Sequence, residues 1–180
     1  MTRERDIDLV ESCLSGNRAA FGDLLTRYQT RIYNVTLRIT GNPEDAMDAT
    51  QSAFLKAFDN LGSFDTDRSF FSWACRIGVN EALNVLKKNK RLAPLEFEAI
   101  ASTPGPEQAY QSQETGLRVR EALEALSPDY RTVVVLRHFH QLSYKEMSEI
   151  LEIPVKTVKS RLFTARRSLR DILLRKRLIS

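Results

Sequence analysis

The chain has 180 residues, of which 42% are hydrophobic and 28% charged, enough to bury the core of one medium domain or two small ones and stay soluble. Only seven Gly and six Pro disfavour a turn-rich all-β fold, and no apolar run approaches the roughly 20 residues that cross a bilayer. The net charge of +4 is uneven: Pro154 to Ser180 holds nine Lys or Arg and one acid, Asp171, for +8, so residues 1–153 carry −4, a pattern that suits a polyanion at the basic end as well as it suits a solvated basic helix.

The amino-terminus, MTRERDIDLVES, is charged and lacks the apolar stretch of a secretory signal, which points to the cytoplasm. Residues 5–15 predict a short helix with Ile7, Val10 and Leu14 on one face. Residues 18–40 predict a long one, with Phe21, Leu24, Leu25, Tyr28, Ile32, Val35 and Ile39 near the helical period and Gly41 as its stop. Asn42-Pro43-Glu44-Asp45 is a start signal, a cap followed by Pro and two acids, for a third helix to about Asn60. A loop, Leu61 to Arg68, leads to a fourth helix capped by Ser69 and running to about Asn89. Cys13 and Cys75 stand far apart, without a C-x-x-C motif or a nearby His, so they read as small buried apolar side chains and not as a disulfide or a zinc site.

Residues 92–116 contain Pro94, Pro104, Gly105, Pro106 and Gly116, with four Glu and no Lys or Arg. They read as an acidic, mostly irregular linker that turns helical near Glu107. The expected architecture is therefore all-α: two small helical domains, 1–91 and 117–180, joined by an irregular linker over 92–116. In the second domain Ser127-Pro128-Asp129 starts a helix that includes Thr132 to Phe139. The strand propensity of Val133, Val134 and Val135 is outweighed there by the cap and the helical neighbours.

The sharpest local signal is QLSYKEMSEILEIPVKTVKSRLFTARRSLRDIL. Ser143 and Glu146 match a capping box, and Leu142 with Met147 match a hydrophobic staple. A short helix thus runs from Tyr144 to about Leu151, Glu152-Ile153-Pro154 form a tight turn, and Pro154 opens a longer helix. Val155, Val158, Leu162, Ala165, Leu169 and Ile172 predict its buried stripe. Lys156, Lys159, Ser160, Phe163, Arg166, Arg167 and Arg170 fall on the opposite face. Short helix, tight turn and long helix with a basic outer face is the layout of a helix-turn-helix. Lys159 and Ser160 would reach base edges, Phe163 a thymine methyl, and Arg161, Arg166, Arg167 and Arg170 phosphates. A solvated hairpin with an incidental basic face is the plain alternative.

The first domain has a second cationic surface. Arg76, Asn80, Asn84, Lys87, Lys88 and Arg91 recur at helical spacing, preceded by a loop with Phe64 and by Phe70, Phe71 and Trp73. Cations and amides beside aromatics suit unpaired bases, although position alone makes most of these aromatics core residues. The only histidines, His138 and His140, lie on a helix expected to be core-packed, with no nucleophile–base or metal spacing beside them. Neither an enzyme nor a cofactor is indicated.

Three stretches resemble a known family. Phe70 to Asn80 is similar to its S-F-x-x-W-L-x-R-I-A-x-N pattern, Asp45 to Phe54 to its E-A-E-D-x-x-Q-E-x-F, and Leu142 to Leu169 to its L-S-Y-x-E-I-A segment followed by I-P-x-G-T-V-K-S-R-L. They identify the chain as resembling the extracytoplasmic-function sigma factors of the sigma-70 family, over nearly its whole length. The resemblance implies a sigma region two at 1–91 and a region four at 117–180, and a protein that binds core RNA polymerase, directs promoter recognition and opens the strands. It also implies a stress or envelope response and a cognate anti-sigma factor, with no membrane insertion. Asp45, Asp48, Gln51, Phe54 and Leu55 are implied to dock on the polymerase β′ clamp helices, and region four to meet the β flap. Ser63, Phe64, Asp65, Arg76, Asn80 and Asn84, with Lys87, Lys88 and Arg91, would capture the −10 element. Lys156, Lys159, Ser160, Arg161, Phe163, Arg166 and Arg167 would read the −35 element, and the acidic linker would thread towards the RNA exit path. Ser52, Glu152, Lys156 and Thr164 depart from the family pattern, which implies a softened polymerase contact and a different −35 preference. A free-standing helix-turn-helix regulator would explain residues 142–177 but not the 42–91 pattern; a protein-interaction module would direct the basic face at an acidic partner.

Overall fold

The computed structural model describes residues 2–92 and 110–175, with side chains over 5–91 and 116–175. The first body contains α1 (Thr2–Leu14), α2 (Ala19–Thr40), α3 (Pro43–Asp59), a 3-10 turn (Leu61–Ser63) and α4 (Phe70–Leu92). The second contains α5 (Tyr110–Glu124), α6 (Pro128–Val134), a π-helical turn (Val135–Phe139), α7 (Tyr144–Leu151) and α8 (Val155–Arg175). No strand occurs among the described residues, and none of the described helices is long and apolar enough to cross a membrane.

In the first body α2 is the central element, packed by α1, α3 and α4. It buries Leu24, Ile32, Val35 and Ile39, the stripe expected from their spacing. Ala46, Ala49, Ala53 and Ala57 are buried along α3, and this run of small side chains lets α3 lie close to α2 and α4. Gly78 does the same for α4: a Cβ there would stand 2.9 Å from Cγ2 of Ile32. Local chemistry sets the junctions. Asn42 Oδ1 accepts from the amides of Glu44 at 2.8 Å and Asp45 at 3.1 Å, so two of the free amides at the start of α3 are satisfied. Asp6, buried on α1, accepts from the Tyr28 hydroxyl and from Arg27, which ties α1 to α2. Burial, reinforced by the Asp6 carboxylate, pushes the Tyr28 hydroxyl pKa up to about 12.

The second body is built around the apolar run of α6 and the π turn, where Val133, Val134, Val135 and Leu136 are all buried. The run is helical as expected, but its last turn widens: the His140 amide donates to Val135 O at 3.3 Å, five residues back. Val158, Leu162 and Ala165 of α8 are buried, with α8 packed on α6, α7 and α5. Val155, expected in the same stripe, is exposed at the first residue of α8.

Helix α5 begins at Tyr110, within the 92–116 segment expected to turn helical near Glu107; residues 93–109, including that turn, lie outside the described residues. The helical run that carries the histidines is core-packed through Val133, Val134, Val135 and Leu136, with His138 exposed and His140 half-buried at its end. Cys13 and Cys75 are both buried free thiols, and burial pushes the Cys75 thiol pKa up to about 12, which leaves it inert.

Candidate nucleic-acid interface

The α7–turn–α8 unit is fixed by local hydrogen bonds. Ser143 Oγ accepts from the Glu146 amide at 3.2 Å, and Glu146 Oε2 accepts from the Ser143 amide at 2.7 Å, completing the capping box. Leu142 and Met147 are buried beneath it. Glu152 ends α7 in the left-handed conformation, φ 52 and ψ 38, and Ser148 Oγ donates to Ile153 O at 2.6 Å across the turn. The Pro154 carbonyl then accepts from the amides of Thr157 and Val158, which starts α8.

With one side of α8 buried, Lys156, Lys159, Ser160, Phe163, Arg166, Arg167 and Arg170 stand exposed on the other. They extend over 15 residues, about 21 Å from first to last at 1.5 Å per step. Phe163 is 72% exposed, a large apolar ring set among cations. The cations are steered by neighbours. Lys159 Nζ lies 5.5 Å from the centroid of the Tyr144 ring, and Arg137 approaches the same ring at 5.1 Å. Arg166 Nε donates to His138 Nε2 at 3.2 Å. This bond requires the neutral ring, and burial together with Arg166 and Arg137 holds the His138 pKa below its ordinary value. Arg161 is only half-exposed and leans on Asp129, 3.9 Å away, so it sits at the rim of this face.

On α4 the exposed stripe is Asn80, Asn84, Lys87, Lys88 and Arg91. Arg76 is in register with them but half-buried, and its Nη1 donates to Glu152 Oε1 of the second body at 2.7 Å. The loop before α4 is ordered by its own side chains. Ser63 Oγ donates to Asn60 O at 2.7 Å, Asp65 Oδ1 accepts from the Asp67 amide at 3.0 Å, and Arg68 pairs with Asp65 at 3.3 Å. Ser63 and Asp65 are exposed, but Phe64 is not. Its ring packs 5.6 Å from Phe70 and 5.3 Å from Trp73, filling the space under the loop. The expectation that Phe64 is offered to a base is corrected on that ground. Phe70, Phe71 and Trp73 are likewise core residues.

A third surface lies on α3. Asp48, Gln51 and Leu55 are exposed, Leu55 by 67%. Asp45 is half-buried and accepts from Asn89 Nδ2 of α4 at 2.9 Å. Phe54 is 5% exposed and set edge-on to Phe21, so it supports this surface from beneath and is not a contact residue, contrary to expectation. Sequence reasoning missed Met47, 52% exposed, which shares a helical row with Gln51 and Leu55; its spacing of four was the available signal. It also missed Arg131, a buried cation whose only local sign is an Arg at the head of an apolar run.

Two family models match the chain, one in each helical body. The sigma-70 region 2 family model matches residues 24–92, and the sigma-70 region 4 model matches 116–169. The RNA polymerase sigma-H factor of Pseudomonas aeruginosa is 34% identical, over 94% of this chain and 94% of its own. The ECF RNA polymerase sigma factor SigW of Bacillus subtilis is 35% identical, over 89% of this chain and 92% of its own. Among solved structures, CnrH in complex with the cytosolic domain of CnrY superposes with a TM-score of 0.71 at 27% identity, covering 94% of this chain and 97% of that one. The sigma factor RpoE of Bartonella quintana, in complex with the anti-sigma factor NepR, shares the fold with a TM-score of 0.70 at 24% identity, covering 85% and 96%.

Proposed function

The chain belongs to the extracytoplasmic-function sigma factors of the sigma-70 family, and from that premise we propose how its surfaces divide the work of promoter recognition. It acts as an RNA polymerase sigma factor, binding core polymerase and directing it to promoters. The observation that carries the finer reading is the presence of two exposed cationic helix faces, one on α4 bearing Asn80 and Asn84 and one on α8 bearing Ser160 and Phe163, each on the side of its helix turned away from the buried core.

The face of α8 reads the −35 element in the major groove. Lys159 and Ser160 address base edges, and Phe163 supplies an apolar contact of the kind that suits a thymine methyl. Lys156, Arg166, Arg167 and Arg170 hold phosphates, with Arg161 at the rim. The face of α4 takes the −10 strand. Ser63, Asp65, Asn80 and Asn84 offer hydrogen bonds to an extruded base, while Arg76, Lys87, Lys88 and Arg91 follow the backbone. With Phe64 in the core, the base is held by polar groups in place of a ring. Extrusion costs a few kcal/mol; the neutral Ser63, Asn80 and Asn84 return about 0.5–1.5 kcal/mol per hydrogen bond and the charged Asp65 about 1.5–3 kcal/mol, and together with the phosphate contacts these offset the cost, so capture of a transiently open strand needs no ATP. Asp48, Gln51, Met47 and Leu55 of α3 form an acidic and apolar patch for the β′ clamp helices, and the second body also meets the β flap. The chemistry of RNA synthesis is the polymerase's, and we assign this chain no catalytic step. Its place of action is the cytoplasm, on nucleoid DNA, and its natural antagonist is a cognate anti-sigma factor.

The test is run-off transcription with purified core polymerase on a promoter library, alongside a pull-down of core subunits. Transcripts that depend on the chain, and its retention on core, support the reading. Duplex binding without any association with core would replace it with a free-standing helix-turn-helix regulator.

A further inference from the structure

His138 stands outside the core of the second body, yet it holds a residue of the α8 face. The run from Arg131 to Leu136 is buried, and in the widened turn that follows His138 comes out beside α8. There its Nε2 accepts from Arg166 Nε at 3.2 Å, across 28 residues of chain. Nε2 accepts only in the neutral ring, with the proton on Nδ1. Nε is the inner donor of the guanidinium, so the bond fixes the plane of the Arg166 head and leaves its Nη1–Nη2 edge to meet a phosphate as a fork. The surroundings keep the ring neutral. Its loss of water, and after that the charges of Arg166 and Arg137, hold the His138 pKa below its ordinary 6.5. Arg137 is fixed beside it, since Nη1 donates to Leu142 O at 2.8 Å and the guanidinium lies 5.1 Å over the Tyr144 ring. The other elements packed on the turn aim their charges elsewhere. Helix α2 sets Arg31 and Arg38 against His140, and α6 sets Asp129 against Arg161. On α7 the Glu146 carboxylate is taken by the Ser143 amide, and at its end Glu152 pairs with Arg76.

We propose that His138 is a positioning residue for −35 recognition: its neutral ring holds Arg166 in the orientation that receives a backbone phosphate, and protonation of the ring releases it. This rests on the assignment of α8 to the −35 duplex. A free arginine side chain samples many rotamers and loses them when it grips a phosphate. One already held by an acceptor has fewer to lose, so the contact forms at a smaller entropic cost. A neutral acceptor also orients the guanidinium without cancelling its charge, which stays available to the phosphate. Acid reverses both effects. The imidazolium has no lone pair at Nε2 and adds a third positive charge to those of Arg137 and Arg166. Arg137 is tied to Leu142 O, so Arg166, the more exposed of the two, is the one displaced. Binding is therefore strongest where the ring is neutral, above about pH 6.5, and weakens as pH falls through the lowered pKa.

Promoter binding by the full chain with core polymerase is measured by fluorescence anisotropy at fixed salt, from about pH 8 to about pH 5, for the parent, His138→Gln, His138→Ala and Arg166→Ala. His138 is exposed, so neither of its substitutions removes core packing, and circular dichroism at each pH checks that the helices persist. The glutamine amide offers an acceptor oxygen near the place of Nε2 and does not titrate. At the alkaline end His138→Gln should match the parent, and His138→Ala should bind about fivefold more weakly, the worth of one ordinary hydrogen bond. In the Arg166→Ala background His138→Ala should cost nothing further, since the two act as one unit. As pH falls below 6.5 the parent should lose affinity relative to His138→Gln, towards the alanine value; the ratio of the two cancels whatever titrates in the polymerase. A ratio that stays level, or an alanine variant as tight as the parent, overturns the positioning role. A ratio that rises on acidification overturns it too, and makes the imidazolium a phosphate contact in its own right. Arg166→Ala separates the two levels: if it weakens binding while His138→Ala does not, the reading of the α8 face stands and the positioning role falls. If Arg166→Ala leaves binding unchanged, that residue is not on DNA, and its place in the reading falls together with the role of His138.

Discussion

Replacing Arg131 with methionine keeps the aliphatic stem and removes the guanidinium from three helix-end carbonyls, those of Leu123, Glu124 and Ile39. A hydrogen bond from a charged donor contributes about 1.5–3 kcal/mol, so the gross loss is about 4–9 kcal/mol. Burial of the cation offsets part of this: it costs several kcal/mol, and the same burial lowers the Arg131 pKa. The net destabilisation is about 3 kcal/mol, within the range for breaking a buried charged network. For a chain of this size, that lowers Tm by about 6–12 °C. Arg131→Lys should fall between, since an ammonium keeps the charge but cannot span three carbonyls with a planar fork. Thermal unfolding followed by circular dichroism checks both. A methionine variant that melts within about 2 °C of the parent would refute the idea that this residue holds the two helix ends together, since about 1 kcal/mol is what a single ordinary hydrogen bond supplies.

Other outcomes follow from the remaining surfaces. Arg167→Ala in the polymerase complex should weaken promoter binding evenly across sequences and lower the salt slope by about 0.9, the value for one lost duplex phosphate contact; an unchanged slope in filter-binding titrations would move Arg167 off the DNA. Leu55→Asp should weaken core binding tenfold or more, about 1.4 kcal/mol, yet leave Tm nearly unchanged because Leu55 is 67% exposed; unaltered core affinity would remove α3 from that contact. Burial, followed by the charges of Arg31 and Arg38, holds the His140 pKa down at about 4 from its ordinary 6.5. The unfolded chain therefore takes up this proton first, and stability is full above about pH 6.5 and declines as pH falls towards about 4. Urea midpoints at pH 7.5 and pH 5 should differ in the parent and converge in His140→Phe; an equal pH dependence in both would exclude His140 as the group concerned.

What was legible in the sequence is what local chemistry decides. The Asn42 and Ser143 caps, the α2 stripe and the short helix, turn and long helix of α7 and α8 depend on neighbours three or four residues apart. The two exposed cationic faces followed, because a helix with one apolar side presents its other side to water. What was not legible depends on groups far apart in the chain. Phe64 and Phe54 carry aromatic rings that pattern alone cannot allot to core or surface; Phe70, Trp73 and Phe21 decide the matter by enclosing them. Arg131 resembles any cation at a helix start until Ile39, 92 residues earlier, comes beside it. The widened turn at Val135–Phe139 also has no local signature, since the same β-branched run fits an α-helix equally well.

A library of promoters randomised separately in the −35 and −10 elements, transcribed by core polymerase with the parent chain, Lys159→Ala or Asn80→Ala, decides whether the two helix faces read DNA as assigned. The expected result is that Lys159→Ala relaxes preference by about 1–3 kcal/mol within the −35 element alone, and that Asn80→Ala does so within the −10 element alone. Unchanged preferences in both variants, or a loss that falls on the opposite element, would contradict it.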